Sequence, residues 1–172
     1  MNTQHEIRAA TLADIPPIAR LYVDSWQRTY AGIVPQWYLD GMHYAGAEKI
    51  WSDYMLAPGQ LIFVAVDPQG AVAGMLAAQV EWEYAATAYI AALHVDTAAQ
   101  GQGLARRLIQ AAAAHFACGG ITRLGLAVIE GNDNALAIYQ HLGAKKVDYR
   151  INKEDFPSTE YILIWPDSRV LL

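Results

Sequence analysis

The sequence predicts a mixed α/β domain, a sheet with helices packed on its faces. Three observations carry this expectation. Short apolar runs bounded by turn residues, such as Leu61-Ile62-Phe63-Val64-Ala65-Val66, read as strands covered on both sides. Longer segments repeat their apolar residues at helical spacing, as in the alanine-rich stretch ending at Cys118. The two kinds alternate without a repeat or a Pro/Gly/Ser-rich linker, which predicts one domain over residues 1–172.

In order, Glu6 to Ala10 reads as a short strand. Thr11 and Asp14 have the spacing of a capping box and open a helix whose apolar positions are Ile15, Ile18, Ala19, Tyr22 and Trp26. After a break at Ala31-Gly32-Ile33-Val34-Pro35, an aromatic-rich helical region runs to about Leu56. Ala57-Pro58-Gly59 turns the chain into the strand Leu61 to Val66, and Asp67-Pro68-Gln69-Gly70 makes a hairpin turn. Strands follow at Ala71 to Glu83 and Ala88 to Val95. A loop ending in Gln100-Gly101-Gln102-Gly103 leads into a helix to Cys118, stopped by Gly119-Gly120. The remainder reads as a strand from Arg123 to Val128, a helix from Asn134 to Leu142, and strands at Lys145 to Arg150 and Tyr161 to Trp165.

Composition bounds the function. The chain has 172 residues, 54% of them hydrophobic, with 17 acidic against 12 basic side chains and a net charge of −5. A chain of this size buries about 70% of its unfolded surface, enough for a core without metals or disulfides. No apolar stretch approaches the roughly 18 residues of a membrane span, so no membrane partner is expected. The first eight residues lack the basic and apolar regions of a secretory signal, and a cytoplasmic location is the expectation. Cys118, the single cysteine, excludes an intrachain disulfide and a cysteine-rich zinc site; no metal is expected. Its helical context predicts a small buried hydrophobe. An acidic chain without a Lys/Arg cluster is not expected to bind nucleic acid.

The strongest local feature runs from Leu93 to Ala105, a strand passing through a glycine-containing loop into a helix start. Free N–H groups and the positive end of the helix dipole suit an anion such as a pyrophosphate there. The segment is not a P-loop, and Arg106 stands where a dinucleotide fingerprint needs its third glycine.

Leu93, Val95, Gln100, Gly101, Gln102, Gly103, Leu104 and Ala105 resemble motif A of the GNAT superfamily of N-acetyltransferases. Downstream, Asn132, Ala135, Tyr139 and Gly143 are similar to the family's motif B, with Ala144 in place of the usual aromatic. The segment Trp26 to Pro35 also looks like the family's N-terminal part. The resemblance implies a GNAT fold, with a mixed twisted sheet of about six to seven strands flanked by helices. It implies acetyl-CoA as acyl donor, held where two parallel strands, here Ala88 to Val95 and Arg123 to Val128, splay apart. The backbone of Leu93 and Val95 would follow the pantetheine arm, and the amides from Gln100 to Ala105 the pyrophosphate. Arg106 and Arg107 would add charge, and Asn132 would bond the cofactor or cap its helix.

Transfer from a thioester to an amine needs a base, an acid for the departing thiolate and a site for the amine. Tyr139 matches the family's general acid. Relatives often carry a carboxylate on the motif A strand where this chain has Tyr89, Ile90, Ala91 and Ala92, so Glu81, with Glu83 second, is the expected base. His94 is a further titratable candidate. For the acceptor, the aromatics from Tyr22 to Tyr54, interspersed with Asp24, Asp40, Glu48 and Asp53, suit a cationic amine, with Trp26 and Tyr30 singled out. The expectation is acetyl transfer to a primary amine of a small molecule or peptide, by direct attack in a ternary complex. Transfer of another acyl group, or a non-catalytic CoA sensor, are the alternatives. Oligomeric state stays open: homodimers are common in the family, and the sheet's last strand offers an edge for one.

Overall fold

The computed structural model describes residues 4–81 and 87–172, apart from the side chain of Glu81. Seven strands form one sheet: β1 (Glu6–Ala9), β2 (Gln60–Val66), β3 (Val72–Glu81), β4 (Thr87–Val95), β5 (Arg123–Ile129), β6 (Lys145–Asn152) and β7 (Ser158–Trp165). Their order in space is β1-β2-β3-β4-β5-β7-β6. Neighbours are antiparallel except β4 and β5, which run parallel. The seven-stranded mixed sheet is the expected one, with one change of order. The last strand in sequence, β7, lies between β5 and β6, so the two edges of the sheet are β1 and β6.

Helices cover both faces. On one side α1 (Ile15–Thr29) and α3 (Tyr44–Leu56) bury Ile15, Ile18, Ala19 and Trp51 against Ile62, Val64, Met75 and Ala77. On the other, α4 (Leu104–Cys118) sets Leu104, Leu108, Ile109, Ala112 and Phe116 against Leu76, Ile90 and Leu126, with α5 (Asp133–His141) beside it. The apolar stripe of α4 at i, i+4, i+5 and i+8 is what puts this helix on the sheet. Cys118 breaks the expectation: it is exposed, because it stands two residues past Phe116, about 200° further round the helix.

The chain enters α1 through the predicted capping interaction. The Asp14 carboxylate accepts from the Thr11 N–H (2.8 Å) and from the Arg8 guanidinium (2.7 and 3.0 Å), locking β1 to the helix. The Arg8 hydrogen bond holds the Asp14 carboxyl below the usual carboxylate range. The aromatic region before Leu56 is two helices, α2 (Gln36–Gly41) and α3, because His43 caps α3 by accepting from the Gly46 N–H at 3.0 Å. Histidine is outside the usual set of capping residues, which is why the sequence pattern runs through this break.

Candidate active site

The glycine loop is built to leave backbone exposed. Asp96 accepts from the Ala98 N–H (2.8 Å), tightening a 3₁₀ turn over Thr97–Ala99 that delivers Gly101 and Gly103 to the start of α4. Both glycines have positive φ (76° and 74°), which a side chain strongly disfavours. A Cβ on either would meet nothing within 4 Å, so the space above the loop is open. Gly103 is the N-cap of α4 and has no side chain to satisfy the helix, so the first-turn amides are unclaimed among the described residues. An uncapped, fifteen-residue helix presenting free N–H groups beside open glycines fits a diphosphate.

Next to this loop the sheet opens. β4 and β5 pair in register only from Thr87↔Arg123 to Ile90↔Leu126. Beyond Ile90 a register shift against β3 passes from Ala78↔Ile90 to Ala77↔Ala92 and leaves Ala91 without a partner. A bulge of this kind bends its strand. The bend and the lost pairing coincide, and the rest of β4, through Leu93 to Val95, diverges from β5.

A cleft of about 890 Å³ fills the gap and runs from the glycine loop, past the splayed strands, to the C-terminal part of α1. Leu93, Val95, Gln100, Gly101, Gly103, Leu104, Ala105, Arg106, Asn132 and Tyr139 line it, as do Trp26 and Tyr30. Gln102 does not; it stands exposed, its Nε2 3.5 Å from the Ala98 carbonyl. The two arginines part company: Arg106 faces the cleft, while Arg107 donates to the His5 carbonyl at 2.7 Å and ties α4 to the N-terminal segment.

Tyr139 packs its ring edge-on against the buried Trp165, at 6.3 Å between centroids. Burial pushes its hydroxyl well above the ordinary tyrosine range, so it is protonated at any working pH. Asn132 does two jobs: its Oδ1 accepts from the Ala135 N–H (3.3 Å), capping α5, and its Nδ2 donates to the Tyr30 hydroxyl (3.2 Å). His94 stands in contact with Ser25, Nδ1 to Oγ 2.8 Å, and edge-on to Tyr22. Burial, then the charge of Arg28, lowers its pKa to about 4, so the ring is neutral near pH 7.

At the far end the aromatic wall is continuous. Trp26 lies 4.4 Å from Tyr30 and 5.9 Å from Tyr38, and Tyr38 lies 4.7 Å from Phe156, centroid to centroid. The carboxylates expected here are elsewhere. Asp24, Asp40 and Asp53 are exposed and accept from Tyr44, Gln36 and Lys49, because these helical positions face outward. Among the described residues, the acidic groups that do line the cleft are Asp155 and Glu160, which the sequence reading missed. Glu160 is 8% exposed and is held by Arg150 Nε at 2.6 Å and Asn152 Nδ2 at 3.3 Å, while Arg150 also donates to the Tyr89 hydroxyl at 3.3 Å. Glu81 ends β3 but its side chain, like the whole of Glu83, lies outside the described residues.

The chain matches known proteins along most of its length. The model of the acetyltransferase (GNAT) family matches residues 18–144. The N-acetyltransferase YuaI of Bacillus subtilis (strain 168), itself uncharacterised, is 30% identical over 169 residues, 96% of this chain and 95% of YuaI. Among solved structures, the PaiA N-acetyltransferase of Thermoplasma acidophilum in complex with coenzyme A superposes with a TM-score of 0.78 at 18% identity, covering 93% of this chain and 97% of that one. The spermidine N-acetyltransferase of Vibrio cholerae, in complex with CoA and spermine, gives 0.73 at 18% identity, over 99% and 100% of the two chains. With its splayed parallel pair and its glycine loop in the same positions the sequence motifs assign to them, the chain belongs to the acetyltransferase (GNAT) family.

Proposed function

We propose that this acetyltransferase carries acetyl from acetyl-CoA to the primary amine of a cationic small molecule or peptide, by direct attack with both substrates bound. The observation that carries the reading is the charge arrangement of the cleft. Arg106 and the open amides of α4 stand at one end, and Asp155 and Glu160 stand with the aromatic wall at the other. A diphosphate suits the first and an ammonium group the second, through charge pairing and cation–π attraction.

In this reading the amides from Gly101 to Ala105 and the Arg106 guanidinium hold the pyrophosphate. The backbone of Leu93 and Val95 lines the pantetheine arm and brings the thioester to the splay beside Ala91. The amine arrives from the side of Trp26 and Tyr30, which Asn132 fixes through the Tyr30 hydroxyl. Attack forms the N–C bond and breaks the C–S bond, and Tyr139 gives its proton to the departing sulfur. Its raised pKa means that it donates only as negative charge builds on that sulfur. Glu81 takes the proton from the ammonium through water, and His94, neutral but a weak base, does not.

Titrating acetyl-CoA and then following thiol release with a panel of amines tests the reading. Binding without release for every amine would reduce the chain to a CoA-binding module. Trp26→Ala tests the acceptor end: it should raise KM for the amine several-fold and leave acetyl-CoA affinity nearly unchanged. Equal loss of both would place Trp26 in the core instead.

A further inference from the structure

On β4 the side chains alternate between the faces of the sheet. Leu93 and Val95 pack on the α4 side, and His94, between them, turns to the opposite face, where Ser25 and Tyr22 of α1 meet it. This corner continues the aromatic wall, since the Tyr22 ring lies 6.0 Å from Trp26 and 5.1 Å from Trp51, centroid to centroid. Tyr22, Ser25, Trp51 and His94 all line the cleft. None of the four has a part in moving the acetyl group.

Hydrogen-bond accounting fixes the His94 tautomer. Ser25 is buried, and the imidazole is the one partner of its hydroxyl among the described residues (Nδ1 to Oγ, 2.8 Å). Were Nδ1 the protonated nitrogen, the serine O–H would be left buried without an acceptor, which is costly. The hydroxyl therefore donates to Nδ1, and the neutral ring carries its proton on Nε2. That N–H finds no acceptor among the described residues. Trp51 repeats the pattern: it is 4% exposed, and its buried Nε1–H, a donor only, has no partner among the described residues. Burial lowers the His94 pKa to about 4, so near neutral pH the ring offers a hydrogen bond rather than a charge.

We propose that this corner is an oxygen subsite for the acceptor, in which His94 Nε2–H and Trp51 Nε1–H bind a carbonyl or carboxylate oxygen of the amine substrate. The preferred substrate is then an amino amide or an amino acid, rather than a plain alkylamine or a polyamine. The inference rests on the acetyl transfer proposed above, of which it specifies the amine. Both ends of such a molecule find partners in one cleft. Burial, Tyr38 and Asp155 together push the Tyr22 hydroxyl above the ordinary tyrosine range, so the carboxylate at the ammonium end is felt at the ring that the two donors flank. A polyamine brings a second cation to this corner and leaves both donors unanswered. An oxygen answers them, and a site built to hydrogen-bond a group rejects the analogue that lacks it.

The test follows thiol release from acetyl-CoA with three series of matched chain length: n-alkylamines, ω-amino carboxamides and ω-amino acids. The best oxygen-bearing amine should exceed its alkylamine in kcat/KM at least about tenfold, and the carboxamide and carboxylate arms show which oxygen is taken. Ser25→Ala combined with His94→Phe removes both partners of the buried bond and keeps a ring against Tyr22. This double variant and Trp51→Phe should each lower the ratio at least about threefold, a ratio that a general loss of activity leaves alone. In the unsubstituted protein, the ¹⁵N resonances of the His94 ring should place the proton on Nε2. Equal kcat/KM for alkylamines and their oxygen-bearing counterparts, or a proton on Nδ1, would overturn the subsite and leave acetyl transfer standing. So would a ratio that survives either substitution, since a loss shared by every amine puts the donor on the thioester oxygen instead. No release with any amine would remove the acetyl transfer itself, and the subsite with it.

Discussion

In the proposed mechanism Tyr139 is the acid that protonates the departing sulfur, a role that rests on one hydroxyl. Its ring packs on Trp165 and its acidity is suppressed by burial, so Tyr139→Phe keeps the packing and removes only the hydroxyl. Turnover at saturating substrates should fall toward the low end of the 10²- to 10⁴-fold range typical of positioned acid catalysis, because a thiolate with a reference pKa near 8.5 already leaves fairly well. Acetyl-CoA affinity should hold; unchanged turnover in a chemistry-limited step would assign the proton to water. His94 makes a different prediction. Its folded pKa, about 4, lies below the unfolded value near 6.5, so the unfolded chain binds more protons in between. Stability from this group is complete above about 6.5 and is lost as pH falls toward 4, by roughly 1–3 kcal/mol. His94→Gln should flatten urea unfolding midpoints across that window, and an unaltered slope would show that carboxylates alone set it. Tyr139 was legible from its motif and His94 from its strand. Glu160 was not, because the apolar run that marked the last strand starts at Tyr161, although the strand itself begins at Ser158. Its charge and its place one residue before that run made it look like loop.

The glycine loop shows how an element becomes a site without catalytic side chains. Gly101 and Gly103 hold positive φ and leave the first turn of α4 uncapped, so the loop offers its backbone amides to an anion, with Arg106 the charged side chain beside them. Gly103→Val places a branched side chain in that open space and in a backbone region it resists. Stability should drop by about 1–2 kcal/mol, with the fold retained, while acetyl-CoA affinity measured by calorimetry should fall at least about tenfold. Full affinity in a folded variant would remove this loop from the donor site. This element was readable because each of its parts leaves a mark: strand, capping aspartate, glycines, helical period. Where an element depends on partners distant in sequence, the marks fade. The order of β6 and β7 follows from which strand reaches β5, and neither strand's own residues state it. Similarly, the carboxylates of α1 to α3 looked like acceptor ligands because aromatic and acidic residues alternate there. Helical geometry turns Asp24, Asp40 and Asp53 to solvent and leaves aromatic rings, with the hydroxyls of Ser25 and Thr29, facing the cleft.

At the scale of the whole molecule, the sheet is two blocks, β1 to β4 and β5 to β7, joined in the ladder by the register Thr87↔Arg123 to Ile90↔Leu126. The family's splayed pair, which the motifs implied, is thus also the seam of the fold. A donor lying in the splay touches both blocks at once, β4 and the loop to α4 on one side, β5 and α5 on the other. Its binding energy should therefore appear as stability of the whole chain, by about 2.7 kcal/mol at a ligand concentration a hundred times Kd. For a chain of this size that corresponds to a rise in Tm of roughly 5–10 °C. Hydrogen exchange locates the effect. Amides of Ala91 to Val95, of the loop through Gly103 and of Ala127 to Asn132 should slow markedly with acetyl-CoA. Those of β1 and β2, remote from the seam, should slow only as far as global stability rises, with no local protection of their own. Protection confined to one side of the splay would mean that the donor lies against a single block, and the reading of β4 and β5 as the two jaws of the site would fail.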